Sequence, residues 1–432
     1  MRMEQRGARG EEADGELATQ AGQEVTPPLT RSVVLLFALA CGLSVANVYY
    51  AQPLLQAMAV ELGIPAASIG IVVTVTQAGY GLGLLLVVPL GDVVERRRLI
   101  MGQLLLSVGA LVLVGFAHTR GGLLLGMAVV GLLAVVTQVL VAFAATLASA
   151  EQRGTVVGTV TGGVVLGILV ARTVSGVVAD LAGWRAVYLL SALLTVGMAA
   201  ALFRVLPRHA PAEAALSYSR LLRSVFDLFV QERLLRVRGV LAMLIFAAFS
   251  TFWTSLVLPL SAPPLSLSST QVGLFGLVGA AGALGAVRAG QLADRGLGQA
   301  TTGSALVLLW VSWLPIGLLG DSLWALVVGV ILLDLAIQAV HVTNQSMLYS
   351  VRPEARSRLV AGYMFFYSVG SGAGAIASTL AYAHWGWTGV CVLGASFSAG
   401  ALTFWAFTRA PPKQTRGPVR VTTPSSYETS GP

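Results

Sequence analysis

Long apolar runs alternate with short charged breaks along the whole chain, from about Ser32 to Phe407. A helix rising 1.5 Å per residue needs about 20 apolar residues to cross the hydrocarbon of a bilayer. By that rule the pattern predicts twelve spans. They fall near residues 33–58, 67–91, 98–117, 121–147, 154–178, 185–206, 237–260, 271–293, 302–319, 322–348, 358–382 and 388–408. Composition supports the same reading. Of 432 residues, 56% are hydrophobic and 11% charged, with a mean hydropathy of +0.80. A soluble domain carries about 25% charged residues. The expected fold class is therefore an all-α membrane protein with twelve transmembrane helices.

The breaks set the topology. Residues 1–31 are polar and lack the apolar core of a signal peptide. They read as a disordered tail, as do residues 410–432. An even number of spans puts both tails on one side. The loops of that side carry Arg96, Arg97, Arg98, Arg153, Arg204, Arg236, Arg238, Arg295, Arg356 and Arg358, among others. The opposite loops carry only Arg120 and Arg185. Loops rich in arginine stay in the cytoplasm, so both termini are expected there. The net charge of +8 follows from these loops and is no sign of a nucleic-acid partner. Every basic residue but Lys413 is arginine, which fits GC-rich coding and a bacterial cytoplasmic membrane. Cys41 and Cys391 both lie in apolar runs, where a disulfide or a metal site is not expected.

The longest internal break, residues 207–236, divides the chain into bundles at 32–206 and 237–409. Within it Leu221, Leu222, Val225, Phe226, Phe229 and Val230 recur at helical spacing among Arg220, Arg223 and Asp227. Either an amphipathic helix on the inner membrane surface or a plain linker fits this pattern.

The two halves repeat. At an offset of 203, Glu151-Gln152-Arg153 matches Glu354-Ala355-Arg356, and Gly183-Trp184 matches Gly386-Trp387. Gly167, Ala171 and Ser175 match Gly370, Gly374 and Ser378. Small residues every fourth position let helix backbones approach closely in lipid. Repeated six-helix halves suit two bundles that rock about a site near the midplane.

Gly91-Asp92 followed by Arg96-Arg97-Arg98 resembles the signature loop between the second and third spans of the major facilitator superfamily. Gly290, Asp294, Arg295 and Gly296 resemble its echo between spans eight and nine. The resemblance covers about residues 32–409. Val48–Leu55, Gly183-Trp184-Arg185 and His341–Gln345 are similar to a bacterial subgroup of efflux-type permeases. Three departures stand out. Val93 and Glu95 occupy signature positions that are usually Arg and Gly. The fourth span lacks the arginine of proton-driven exporters. The fifth lacks the antiporter glycine-proline pair and carries Arg172 instead.

The resemblance implies a conformational switch at Gly91, Asp92, Arg96, Arg97, Asp294 and Arg295, with Asp92 facing the start of the eleventh span near Arg356. A solvated loop with topogenic arginines is the plain alternative. Asp334 is the only acid deep within a span, and intramembrane acids are costly enough to be functional candidates. Asp334, Gln338, His341 and Gln345 are spaced four, three and four, which places them on one helical stripe bordered by Asn344. Such a stripe must face protein or water. It is either a network of structural hydrogen bonds or part of a transport site in which Asp334 or His341 carries a coupling proton. Gln138 lies 203 residues before His341 and would face it across the pseudo-twofold axis. Asn47, Tyr50, Gln52, Gln77, Tyr80 and Trp253 are further candidates for solute contact. Arg172 could snorkel outward, pair with Asp334 or hold an anionic solute.

The expected function is secondary transport of a small organic solute by alternating access, with proton-coupled efflux implied by the subgroup. Uptake by the same fold is an alternative, and so is a sensor that does not transport. The phosphate-cradling motif of nucleotide-driven pumps is absent, and the four histidines lack metal-ligand spacing, so an enzyme is not expected. No cofactor is implied. The expected partners are the solute, protons and the bilayer, around a monomer.

Overall fold

A computed structural model describes residues 30–149, 152–207, 217–349 and 356–409. Residues 1–29 and 410–432 of the expected tails lie outside the described residues, and Arg31 begins the first helix. Those residues are all-helical, without a strand among them. In chain order the helices are α1 (Arg31–Tyr49), α2 (Leu55–Leu62), α3 (Ile71–Leu86), α4 (Arg96–Gly115), α5 (Arg120–Ala134), α6 (Val136–Leu147), α7 (Arg153–Ala182) and α8 (Trp184–Val205). Next come α9 (Tyr218–Gln231), α10 (Arg233–Ser255), α11 (Val257–Ser261), α12 (Ser269–Val278) and α13 (Ala281–Leu292). The chain then runs through α14 (Gly298–Val311), α15 (Trp313–Gly317), α16 (Leu323–Tyr349) and α17 (Arg356–Thr408).

Ten stretches among the described residues are long and apolar enough to cross a membrane. Twelve spans are expected from the sequence, and two features account for the difference. The helix α17 runs through Gly386, whose φ of 60° and ψ of −155° are not helical, so one stretch covers two expected spans. The expected eighth span is broken into α12 and α13, each too short to cross alone.

Local chemistry fixes several ends. Ser268 accepts the backbone N–H of Gln271 while the Gln271 side chain accepts the N–H of Ser268, a reciprocal cap that starts α12. Thr119 caps α5 by accepting from Gly122. Gly183, between α7 and α8, has φ 80°; its counterpart at the offset of 203 is Gly386. Both turns need a residue that tolerates positive φ, and both halves place glycine there.

The helices α1–α8 form one bundle and α10–α17 a second. In the first, a Cβ on Gly163 or Gly167 would run into the backbone of Ala38 or Gly42 in α1. In the second, a Cβ on Gly370 or Gly374 would run into Met243 or Ala247 in α10. The small-residue repeat thus seats α7 on α1 and the first part of α17 on α10 in the same way.

The bundles meet along α3 with α17 and along α7 with α12. The contacts gather toward the arginine-poor end, where residues 63–70, 183 and 262–268 connect helices. Thr74 donates to the Gly372 carbonyl at 2.8 Å, Thr379 to that of Ala67 at 3.0 Å, and Thr173 to that of Gly273 at 3.0 Å. Asp180 accepts the free N–H groups of Ser269 and Thr270 at the start of α12, at 3.1 and 2.8 Å.

Two expectations change here. Arg238 is no loop residue: it lies in α10 and is 1% exposed. The amphipathic helix α9 forms, but its buried face (Leu221, Val225 and Leu228) covers protein. Tyr218 donates to the Leu86 carbonyl at the end of α3, and Phe229 packs edge-on against Phe365 and Phe366 of α17. That helix therefore touches both bundles.

Candidate functional site

The centre of the molecule, between the bundles, holds a cluster that no single stretch of sequence contains. Arg172 reaches into it from α7 and is 3% exposed. Its Nε donates to Gln52 Oε1 at 2.6 Å. Its guanidinium lies over the ring of Trp253 at 4.0 Å, with Tyr49 at 5.1 Å and Phe249 at 5.7 Å. Cation–π contacts of this kind strengthen when desolvated. Trp253 then donates its indole N–H to Asp334 Oδ1 at 3.2 Å. Arg172 and Asp334 form no direct ion pair; the indole stands between them, its face on the cation and its N–H on the carboxylate. Arg172 belongs to the first bundle, and Trp253 and Asp334 to the second, so this bridge spans the interface.

The break between α12 and α13 makes room for the acid. A Cβ on Gly279 would collide with the Asp334 carboxylate. An uninterrupted helix with a larger residue there would fill the space. One guanidinium nitrogen of Arg172, Nη2, is buried without a partner.

A second group of side chains lies beside this bridge. The hydroxyls of Tyr49 in α1 and Tyr367 in α17 are 2.6 Å apart, another link between the bundles. Tyr80 packs edge-on to Tyr367 and accepts from Gln138 at 3.3 Å. Phe246 packs between Tyr367 and His341. Gln345 lies 3.3 Å from His341 Nε2, and Tyr363 Oη lies 2.9 Å from His341 Nδ1. With the Gln345 amide donating, Nδ1 carries the ring proton and donates to Tyr363, so both imidazole nitrogens are engaged.

The stripe on α16 is real but divided. Asp334 meets Trp253, while His341 and Gln345 meet each other and α17. Gln338 approaches Gly282 of α13. Asn344 turns away from the stripe, accepting from Arg238 at 3.1 Å inside the second bundle. Of the other candidates, Gln52 and Trp253 join the bridge. Gln77 is buried near α17 with Oε1 unpartnered. Asn47 is used within the first bundle, accepting from Ser191 at 2.6 Å, and Tyr50 packs edge-on to Tyr188 there. Gln138 bonds Tyr80; His341 bonds other groups, so the two do not pair.

Toward the arginine-rich end, a cleft between the bundles is lined by Gly91, Arg96, Gln138, Val225 and Arg358. Arg96 donates to the Gly91 carbonyl at 3.2 Å and to Thr146 at 3.0 Å. Arg97 donates to the Phe203 carbonyl at 2.6 Å and lies over its ring. These contacts tie the signature loop to its own bundle. Arg295 is exposed. The side chains of Asp92, Asp294 and Arg356 lie outside the described residues.

The sequence profile of the Major Facilitator Superfamily matches residues 37–302 and 238–427. The chain belongs to the major facilitator superfamily. A relative in Escherichia coli O157:H7, "Uncharacterized transporter YgaY", is 47% identical over 387 residues, 90% of this chain and 97% of the relative. "Probable sugar efflux transporter" of Pasteurella multocida is 23% identical over 375 residues, 85% of this chain and 90% of the relative. Among solved structures, a bacterial homologue of the human lysosomal transporter Spinster, inward-facing and occupied, aligns with a TM-score of 0.69. It is 14% identical and covers 87% of this chain and 96% of that one, a similarity of fold alone. This superfamily member is a multi-pass membrane transporter and not an enzyme.

Sequence reasoning missed Tyr49, Phe249, Tyr363 and Tyr367 as partners of the candidates, and Asp180 as a contact between bundles. Their signal was weak because aromatics are common throughout apolar spans. The acid and the lone fifth-span arginine were visible because charge is rare there.

Proposed function

We propose that this protein is a proton-coupled secondary transporter that exports a small organic solute by alternating access. Its arginine-rich end faces the cytoplasm, in keeping with the bias of basic residues to that side. Counting α17 as two spans divided at Gly386, and α12 with α13 as one, gives twelve. Both termini are then cytoplasmic, in a bacterial inner membrane.

The observation that carries the proposal is the bridge from Arg172 through Trp253 to Asp334. Asp334 is the proton carrier. Ionised, it holds the indole N–H and draws the Arg172 cation of the first bundle onto the second, which favours closure at the outer end. Protonated, it removes the charge that keeps Arg172 there, and the outer contacts open. By linkage, the proton binds more tightly when the bundles are apart at that end and leaves when they close. A proton taken from outside is thus released inside.

Gln77, Gln138, Gln338, His341 and Gln345 supply neutral contacts for the solute, with Tyr80 and Tyr367 as aromatic walls. The signature loop works at the inner cleft, where Gly91 and Arg96 face Arg358 and where Asp92 would meet the start of α17 near Arg356. The export direction draws on the resemblance to efflux-type permeases and on the name of the Pasteurella multocida relative.

The test is solute flux in proteoliposomes under an imposed pH gradient, across a panel of sugars, nucleosides, aromatic acids and amphiphilic drugs. Wild type should move at least one of them against its gradient, and a protonophore should stop it. Asp334→Asn should remove the coupling to the pH gradient while exchange of that solute persists. Ligand binding without flux in the wild type, or full pH-driven flux in Asp334→Asn, would overturn the reading.

A further inference from the structure

The second bundle has a large cavity that the central cluster does not use. It lies between α13, α14 and α16, with a volume of about 760 Å³, on a different face of α16 from Asp334. That volume is typical of a site for a small organic molecule. Small residues open it: Gly285, Ala289, Ala305 and Ala339 line it, and Leu292, Leu308 and Leu335 give it apolar sides. Among the described residues one charged side chain lines it, Arg288 of α13, with the hydroxyls of Thr301 and Ser304 on the facing helix. Arg288 is exposed and makes no hydrogen bond or ion pair with another described residue.

The position of Arg288 selects the ligand. It precedes Leu292, the last residue of α13, by four positions, or roughly 6 Å along the helix axis. At the arginine-rich end, that depth is close to the phosphates of one leaflet. A cation on the flank of a membrane helix is costly unless an anion or water meets it. All its lining residues belong to three helices of the second bundle, and none of them joins the contacts between bundles where the solute would pass. An apolar groove ending in a cation that no described residue neutralises complements an acyl chain that ends in a phosphate. Basic pockets between helices on the cytoplasmic side suit anionic headgroups.

We propose that this cavity binds an anionic membrane phospholipid, one acyl chain lying along Leu308 and Leu335 and the phosphate on Arg288. The site is independent of the proton carrier proposed above, although Leu335 follows Asp334 directly on α16. A zwitterionic lipid brings its own cation to the phosphate and leaves the Arg288 charge less well compensated, so the anionic class is preferred.

Native mass spectrometry of the full chain in mild detergent tests this, with phosphatidylglycerol and phosphatidylcholine of matched acyl chains as probes. Wild type should retain phosphatidylglycerol about fivefold over phosphatidylcholine, the effect of one cation near a headgroup. Arg288→Gln should abolish that preference, while Arg236→Gln, which removes another exposed arginine at the same end, should leave it intact. Leu335→Trp fills the groove without touching the charge and should lower retention of both lipids. Arg288→Gln with wild-type preference, or Leu335→Trp with wild-type retention, would overturn the site. If Arg288→Gln does not yield folded protein, the Leu335→Trp result decides alone.

Discussion

Among the described residues two arginines are buried in the membrane-spanning part of this transporter, one in each bundle, and their surroundings differ. Arg172 faces across the interface between bundles. Its neighbours are Gln52 of its own bundle and, from the other, Trp253 and Phe249, with Asp334 one indole away. Arg238 stays inside the second bundle. It donates to Asn344 at 3.1 Å and Thr302 at 3.3 Å, both neutral, and its Nε has no partner. A buried charge is costly wherever it sits. Of the two, only Arg172 has a carboxylate of a described residue one side chain away across the interface between bundles. The difference teaches where a buried cation can drive a conformational change: at an interface that opens, not inside a bundle that moves as one body.

The largest expected effect follows from removing the interfacial cation. Arg172→Met should lower coupled transport by about 100-fold or more, since breaking a buried charge partnership costs roughly 3–5 kcal/mol. Flux in proteoliposomes at equal protein incorporation is the measurement. The double reversal Arg172→Asp with Asp334→Arg should not restore activity. The indole N–H between them donates, so it would face a guanidinium, and the negative face of the ring would face a carboxylate. Rescue by that pair would mean that the two charges meet directly in another state, and would remove Trp253 from the bridge.

The comparison also marks what a sequence can disclose. Apolar run length predicted the membrane helices because hydrocarbon thickness sets them directly. The offset of 203 anticipated that Gly183 and Gly386 turn the chain alike and that Gly167 and Gly370 seat equivalent helices. Asp334 and Arg172 were legible as rare charges in apolar runs. That Trp253 joins them was not, because the contact depends on how α7 docks against α10 and α16. Helical spacing put Asn344 beside the stripe on α16, yet the docking of α10 turned it to Arg238. Arg238 itself was misread as a loop residue, since it follows Arg233 and Arg236 at the edge of an apolar run. Periodicity gives faces; only packing says which neighbour each face meets.

A smaller change should isolate the link between the charges. Trp253→Phe keeps an aromatic face for the Arg172 guanidinium and deletes the N–H that holds Asp334. A hydrogen bond to a charged group is worth roughly 1.5–3 kcal/mol, so coupled transport should fall by about 10-fold to 100-fold. Flux without a pH gradient should fall less than pH-driven flux, because the face contact survives. Equal loss in both assays would show that Trp253 serves the solute path rather than the bridge.

The smallest effect is expected at the other arginine, although it is the more completely buried of the two. Arg238→Met keeps much of the length of the side chain and removes a cation that no carboxylate meets. What it strands is neutral: the Asn344 carbonyl oxygen, while Thr302 still donates to the Gly298 carbonyl at 2.8 Å. Replacing buried charge with an apolar group of similar volume is often neutral or stabilising. Leaving one neutral acceptor unmade offsets that by about 1–3 kcal/mol. The two terms nearly cancel. Thermal unfolding in detergent should therefore change little, and pH-driven flux should stay within about threefold of wild type, less than 1 kcal/mol. A loss of flux as large as that of Arg172→Met, with the protein still folded, would show that Arg238 acquires a charged partner during the cycle. The distinction between an interfacial and an interior arginine would then fail.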